Sequence, residues 1–357
     1  MAWEGTPWPD RPALRVEAAA FHGRPVYAAV IGPWTMPARM PGSDDWAKGT
    51  RRGALAFFVG NLLVTLVVGI AIVLAQRNLR LGRGHRRGAF RVAAAFVVLA
   101  VVGWLFQAHH VADVASEWRL LLVGVSFGVL GGGFVWLSYI ALEPYVRRRW
   151  PSILIGWSRV LAGRLTDPLV GRDILIGALA GSALGLVNHL ANAIPVWLPL
   201  VGQTPIFSNR RGLGSAAELV GLFTNVVSDA IISSLVLLGL LFVARLLVSR
   251  AWLAVALTAL VLTLLNLGAE NVAIEAVVGL VSGIGPAVVL ARYGLLSLWS
   301  MTLVAQMLIR FPVTLELTRW YGGGTVFLFV LLATLLVYAF RVSLGGRPAF
   351  AHASLAD

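Results

Sequence analysis

Cysteine is absent from all 357 residues. No disulfide, thiolate nucleophile or thiolate metal site can therefore be built. Lysine is almost absent: Lys48 is the only one, and every other basic residue is arginine. Charge is scarce, at 13% of residues against about 25% in an average globular chain. The N-terminus lacks the basic start, short apolar core and small-residue cleavage site of a signal peptide. The charge shortage excludes a soluble globular enzyme, a disordered tail and a small disulfide scaffold.

What is present is apolar. Hydrophobic residues make up 58% of the chain, in long runs. A membrane-spanning helix takes about 20 such residues. The runs predict an all-α integral membrane protein, a polytopic bundle of about nine transmembrane helices. The expected spans are 53–76, 92–108, 120–141, 174–198, 218–244, 251–268, 273–291, 294–311 and 325–340. The net charge of +13 would suggest nucleic acid on a soluble protein. Here its first use is orientation, because Lys and Arg favour the cytoplasmic side. Seventeen arginines fall at one end of the expected bundle, in segments 77–91 and 143–173, at 245–250, at Arg292, and at Arg341 and Arg347. Five fall at the other end: Arg119, Arg210, Arg211, Arg310 and Arg319. The N-terminus is therefore expected outside and the tail 342–357 in the cytoplasm.

Residues 1–52 form an extracytoplasmic segment rich in proline. Arg15–Phe21 and Pro25–Ile31 read as two strands around a turn at His22-Gly23-Arg24, a possible β-hairpin. An isolated hairpin is marginally stable in water, so the segment reads as the end of a larger domain or as a piece docked on residues 53–341. Placing it outside without a targeting segment poses a puzzle. Either the first span drags it across, or a membrane segment lies upstream.

A resemblance answers the puzzle. It is carried by Trp3-Glu4-Gly5, Arg15-Val16-Glu17, Gly23-Arg24-Pro25-Val26-Tyr27 and Gly32-Pro33-Trp34-Thr35. It is carried further by Arg77-Asn78-Leu79-Arg80-Leu81-Gly82-Arg83-Gly84 and by Leu142-Glu143-Pro144-Tyr145-Val146-Arg147-Arg148-Arg149-Trp150-Pro151. Ser158-Arg159 and Asp167-Pro168-Leu169-Val170-Gly171-Arg172-Asp173 complete it. Nearly the whole chain resembles the C-terminal membrane region of large bacterial serine/threonine protein kinases. The resemblance implies a kinase domain in cis or trans, an upstream span and an inner (cytoplasmic) membrane location. The catalytic domain itself is missing here. No Gly-rich phosphate loop, His-Arg-Asp or Asp-Phe-Gly is present. Kinase activity therefore does not carry over, and no enzyme activity or cofactor is expected.

Ionisable groups inside spans are functional hypotheses by default. His189 lies between Asn188 and Asn192. Asn225 and Asp229 share a helix face with Glu218, and Asn266–Glu270 and Asn271–Glu275 are each four apart. His189, Asn192, Asn225, Asp229, Glu270 and Glu275 form the candidate intramembrane polar site, a cavity for a metal, protons or a polar ligand. The competing reading is interhelical hydrogen bonding. Asp229, about 11 residues into its span, lies near mid-bilayer at ~1.5 Å per residue and needs a partner. His-Glu-x-x-His is missing, which weighs against an intramembrane metalloprotease. His109-His110 with Asp113 and Glu117 reads as a metal or pH-sensing patch or a solvated turn.

Gly131-Gly132-Gly133, Gly283-Ile284-Gly285-Pro286 and Gly322-Gly323-Gly324 are candidate helix breaks, as a small-solute transporter or channel would need. Residues 152–165 are expected to form a helix in the interface. Its apolar stripe is Trp150, Ile153, Leu154, Trp157 and Leu161. Arg83, Arg86, Arg87, Arg147, Arg148 and Arg149 are the candidates for docking anionic lipids or a cytoplasmic domain. The sequence thus predicts a non-catalytic membrane anchor and signal-input module, with the bilayer as partner, no nucleic acid and no defined oligomeric state. A transporter is the alternative.

Overall fold

The computed structural model describes residues 2–4, 15–31, 51–197, 213–265 and 272–347. They belong to two units, Met1–Phe58 and Val59–Asp357. In the first, β1 (Ala2–Glu4), β2 (Arg15–Phe21) and β3 (Arg24–Ile31) form an antiparallel sheet in that order. Val16 sits opposite both Trp3 and Val30, and the β2–β3 register shifts between Ala19 and Ala20. His22 and Gly23 take positive φ in the turn.

From Arg51 onward the described backbone is helical wherever the apolar runs lie. The helices are α1 (Arg51–Arg80), α2 (Arg86–Gln107), α3 (Val114–Arg149), α4 (Pro151–Leu161) and α5 (Pro168–Trp197). Then follow α6 (Ala216–Leu247), α7 (Ala251–Leu265), α8 (Val272–Tyr293), α9 (Leu295–Arg310) and α10 (Gly322–Ser343). Among the described residues six helices, α2, α3, α5, α6, α8 and α10, are long and apolar enough to cross a membrane. This is the architecture of an all-α polytopic membrane protein. The expected class is matched, whereas six such helices among the described residues stand against the nine expected. The expected spans 251–268 and 294–311 correspond to α7, described over 15 residues, and to α9, of 16 residues, the latter shorter than the usual ~20.

Capping fixes several helix ends. Asp113 accepts from Ser116 N at the start of α3, and Ser215 accepts from Glu218 N at the start of α6. Arg147, Arg148 and Arg149 occupy the last turn of α3, where cations favour the helix dipole. At 36 residues, α3 is about 54 Å long and outruns a ~30 Å hydrocarbon core. The arginine segments 77–91 and 143–173 are therefore mostly helix: the carboxyl ends of α1 and α3, all of α4, and the first turns of α2 and α5.

Small residues set the packing. On α3, a Cβ at Gly124, Gly131 or Gly132 would run into Trp104, Phe96 or Val97 of α2. On α5, Gly177, Gly181 and Gly185 lie against the backbone and side chains of α9. On α8, Gly279 and Gly283 lie against the α7 backbone at Thr263 and Ala259. Glycines four apart let two helices approach closely in lipid, where no hydrophobic force separates good from bad packing. Gly131–Gly133 and Gly283–Pro286, expected as possible helix breaks, lie inside unbroken α3 and α8. Gly294, with φ of +94°, separates α8 from α9, and a Cβ there would sit 2.6 Å from Ile153 O.

α4 covers most of the expected helix 152–165. Its stripe residues Ile153, Leu154 and Trp157 are buried, and Gly156 packs against Asp173 of α5 and Leu296 of α9. These three stripe residues pack on protein, at the arginine-rich end of the bundle.

Candidate functional site at the end of a short helix

Two polar layers lie in the second unit, towards opposite ends of α9. The first is built around the carboxyl end of α9. A 16-residue helix rises about 24 Å, so α9 ends while the α5 and α6 helices beside it continue. Helix ends leave carbonyls without partners, and such groups are costly in a membrane unless the protein satisfies them. Phe311 N closes on Met307 O at 3.1 Å. His189 of α5 reaches Leu308 O with Nε2 at 2.9 Å. A carbonyl only accepts, so Nε2 carries a hydrogen and donates it. The chain then runs through buried Phe311 and Pro312. Thr325 of α10, 1% exposed, donates to Pro312 O at 2.9 Å and accepts from Thr314 N at 3.1 Å.

Arg310, the last residue of α9, pairs with Asp229 of α6 at 2.5 Å. Both side chains stay partly open, 31% and 44% exposed respectively. One turn earlier on α6, Asn225 donates to Gln107 Oε1 at the end of α2 at 3.0 Å. Asn192 bonds Asn188 within α5 at 3.2 Å and is exposed. Glu270 lies outside the described residues; Glu275 lies in α8, and its side chain is outside the description.

The expected cavity is therefore rearranged. His189, Asn225 and Asp229 belong to one layer, but Asp229 takes Arg310 rather than His189, and His189 takes a backbone carbonyl. Among the described residues no three or more His, Asp or Glu side chains come together as a metal would need. The sequence reading missed Arg310, which charge counting had assigned to a connection. It also missed Gln107, Leu308 O and Thr325. The available signal for Arg310 was the shortness of the apolar run 294–311, which put an arginine beside a span carrying an aspartate.

The second layer lies at the arginine-rich end. Pro144 sits inside α3, and proline has no N–H for the carbonyl four residues back. Asn78 of α1, 1% exposed, donates to that Ile140 O at 2.9 Å and to Ala141 O at 3.2 Å. Glu143, 4% exposed, accepts from His85 N at 3.3 Å and pairs with Arg147 at 2.6 Å. Arg159 pairs with Asp167, and Arg172 with the buried Asp173 at 2.9 Å. Arg91 of α2 donates to Leu161 O, and Tyr338 of α10 donates to Leu165 O at 2.7 Å. Arg245 lies over the Trp150 ring at 5.0 Å. Of the six docking candidates, Arg147 is held by Glu143. Arg83, Arg86, Arg87, Arg148 and Arg149 are all exposed.

Between the layers α6 is apolar from Ala230 to Ala244, apart from Ser233 and Ser234; Ser234 meets Thr302 of α9 at 3.4 Å. Leu235, Leu238, Leu241 and Phe242 are buried there together with Leu290, Leu295 and Leu298. No family model, curated protein or solved structure matches this chain.

Proposed function

We propose that the chain is a non-catalytic membrane anchor and signal-input module, the part that the resemblance to bacterial receptor-like kinases implies. The layer at Asp229 and Arg310 is the input. The arginine-rich end, oriented to the cytoplasm, is the output platform. Its exposed arginines hold anionic lipid, at about 1 kcal/mol for each one near the surface, or dock a kinase domain. The observation that carries this reading is the apolar packing of α6, α8 and α9 between two polar layers. A solute path needs polar or wet surface along its length, whereas a sensor needs only a rigid link between its ends. The tightly packed α5–α9 pair supplies that link, with His189 and Arg310 at one end and Asp173 beside Gly156 at the other.

The half-open ion pair favours one rival, a small-solute transporter, since paired charges inside a span also mark substrate pathways. Solute flux into proteoliposomes separates the two. A sensor gives no flux above protein-free vesicles, in the parent chain and in Asp229→Asn alike. Flux that Asp229→Asn abolishes would establish the transporter. The absence of any kinase reading frame joined or adjacent to this one would count against the anchor.

A further inference from the structure

The connection between α2 and α3 carries a feature that neither layer uses. Leu105 O is one of the carbonyls that the end of α2 leaves free, since Ala108 N closes on Trp104 O. His110 Nε2 reaches Leu105 O at 2.8 Å. The other ring nitrogen, Nδ1, lies 2.5 Å from Glu117 Oε1 in the first turn of α3. Glu117 Oε2 accepts from Val111 N at 3.3 Å, and the Trp104 ring stands edge-on to the imidazole at 5.6 Å. A carbonyl only accepts, and so does an ionised carboxylate. Both ring nitrogens therefore need a hydrogen, and only the imidazolium has two.

We propose that His110 and Glu117 form a proton-operated latch over the α2–α3 connection, closed while the imidazole is doubly protonated. When it loses a proton it keeps one hydrogen for two acceptors, so either the cap on α2 or the tie to α3 opens. The step is a plain deprotonation to solvent, which the exposed ring permits. The surroundings favour the closed form. Asp113 caps α3, Glu117 stands in its first turn, and His109 adjoins His110 in the chain. Arg119 is turned toward Ser116 Oγ at 3.5 Å. α6 packs through Gly221 on Gln107 and brings Glu218 to the same end. The carbonyl of Leu105 and the carboxylate of Glu117 raise the His110 pKa above its usual value. The leverage comes from Gln107, which lies between Leu105 and His110 and accepts from Asn225. A change at the latch thus reaches the turn of α6 before Asp229. The latch stands apart from the sensor reading, since it needs no ligand at Asp229.

The test uses the full chain in nanodiscs with 15N-labelled histidine, His110→Gln identifying the His110 signals. The expected result is imidazolium shifts at both ring nitrogens below the midpoint, with that midpoint above about 6.5. Glu117→Gln should lower that midpoint, because it removes one of the groups that hold the proton on the ring. Spin labels on Phe106→Cys and Trp118→Cys, both exposed in the parent and free of competing cysteines, should separate or broaden above the midpoint. They should show no such pH step in His110→Gln. A parent midpoint at or below 6.5, or label distances unchanged across it, would overturn the latch. The parent titration needs no variant that has to fold.

Discussion

Asn78 and Pro144 show what one residue decides in this fold. Pro144 removes the hydrogen that Ile140 O would receive, and Asn78 returns it from another helix. Leaving a buried acceptor unsatisfied costs about 1–3 kcal/mol. Asn78→Ala is therefore expected to destabilise the chain by about that much, read as a lower unfolding midpoint in detergent. In a Pro144→Ala background the helix satisfies Ile140 O itself, so the cost of Asn78→Ala should shrink. An undiminished cost would mean that Asn78 acts through packing alone. The composition made neither residue conspicuous, because both sit at the edge of arginine-rich segments that read as connections. Asp229 was conspicuous, since its depth demanded a partner. Its partner was not, because Arg310 and Asp229 are 81 positions apart.

Among the elements, α9 is the one that organises its neighbours. It is a short apolar helix, mostly buried and with no exposed residue, and it is pressed against the glycines of α5. A Cβ at Gly181 would lie 2.5 Å from Met301 O, a backbone atom with nowhere to go. Gly181→Val is expected to force the two helices apart, lower the unfolding midpoint sharply and weaken the hold of His189 on Leu308 O. Gly133→Ala is the control, because its Cβ meets nothing within 4 Å. There the higher helix propensity of alanine, worth up to about 1 kcal/mol, should leave stability equal or raise it. Hydropathy located α9 and α4 within a few residues. It could not distinguish a helix apolar because it faces lipid from one apolar because protein surrounds it, since both read as the same run.

On the scale of the whole molecule, the arrangement predicts sidedness. The exposed arginines at one end should face the cytoplasm. Single cysteines at Arg83 and Leu315, both exposed, test this in intact cells with an impermeant thiol reagent. The cysteine at position 83 should label only after the membrane is opened, and the one at 315 beforehand. The reverse pattern would invert the bundle and remove the cytoplasmic platform from the functional reading.

The sequence by itself determined the class of molecule. Scarce charge and long apolar runs leave few alternatives to membrane helices, because any backbone in lipid must satisfy its own hydrogen bonds. It also determined which polar residues needed partners, since depth within a run follows from counting. Only the tertiary structure decided who those partners are. Asp229 meets Arg310, His189 meets a carbonyl freed by a short helix, and Asn78 meets one freed by a proline. The reason is physical: depth follows from distance along one chain segment, whereas partners depend on which helices pack together, and spacing along the sequence carries no record of that.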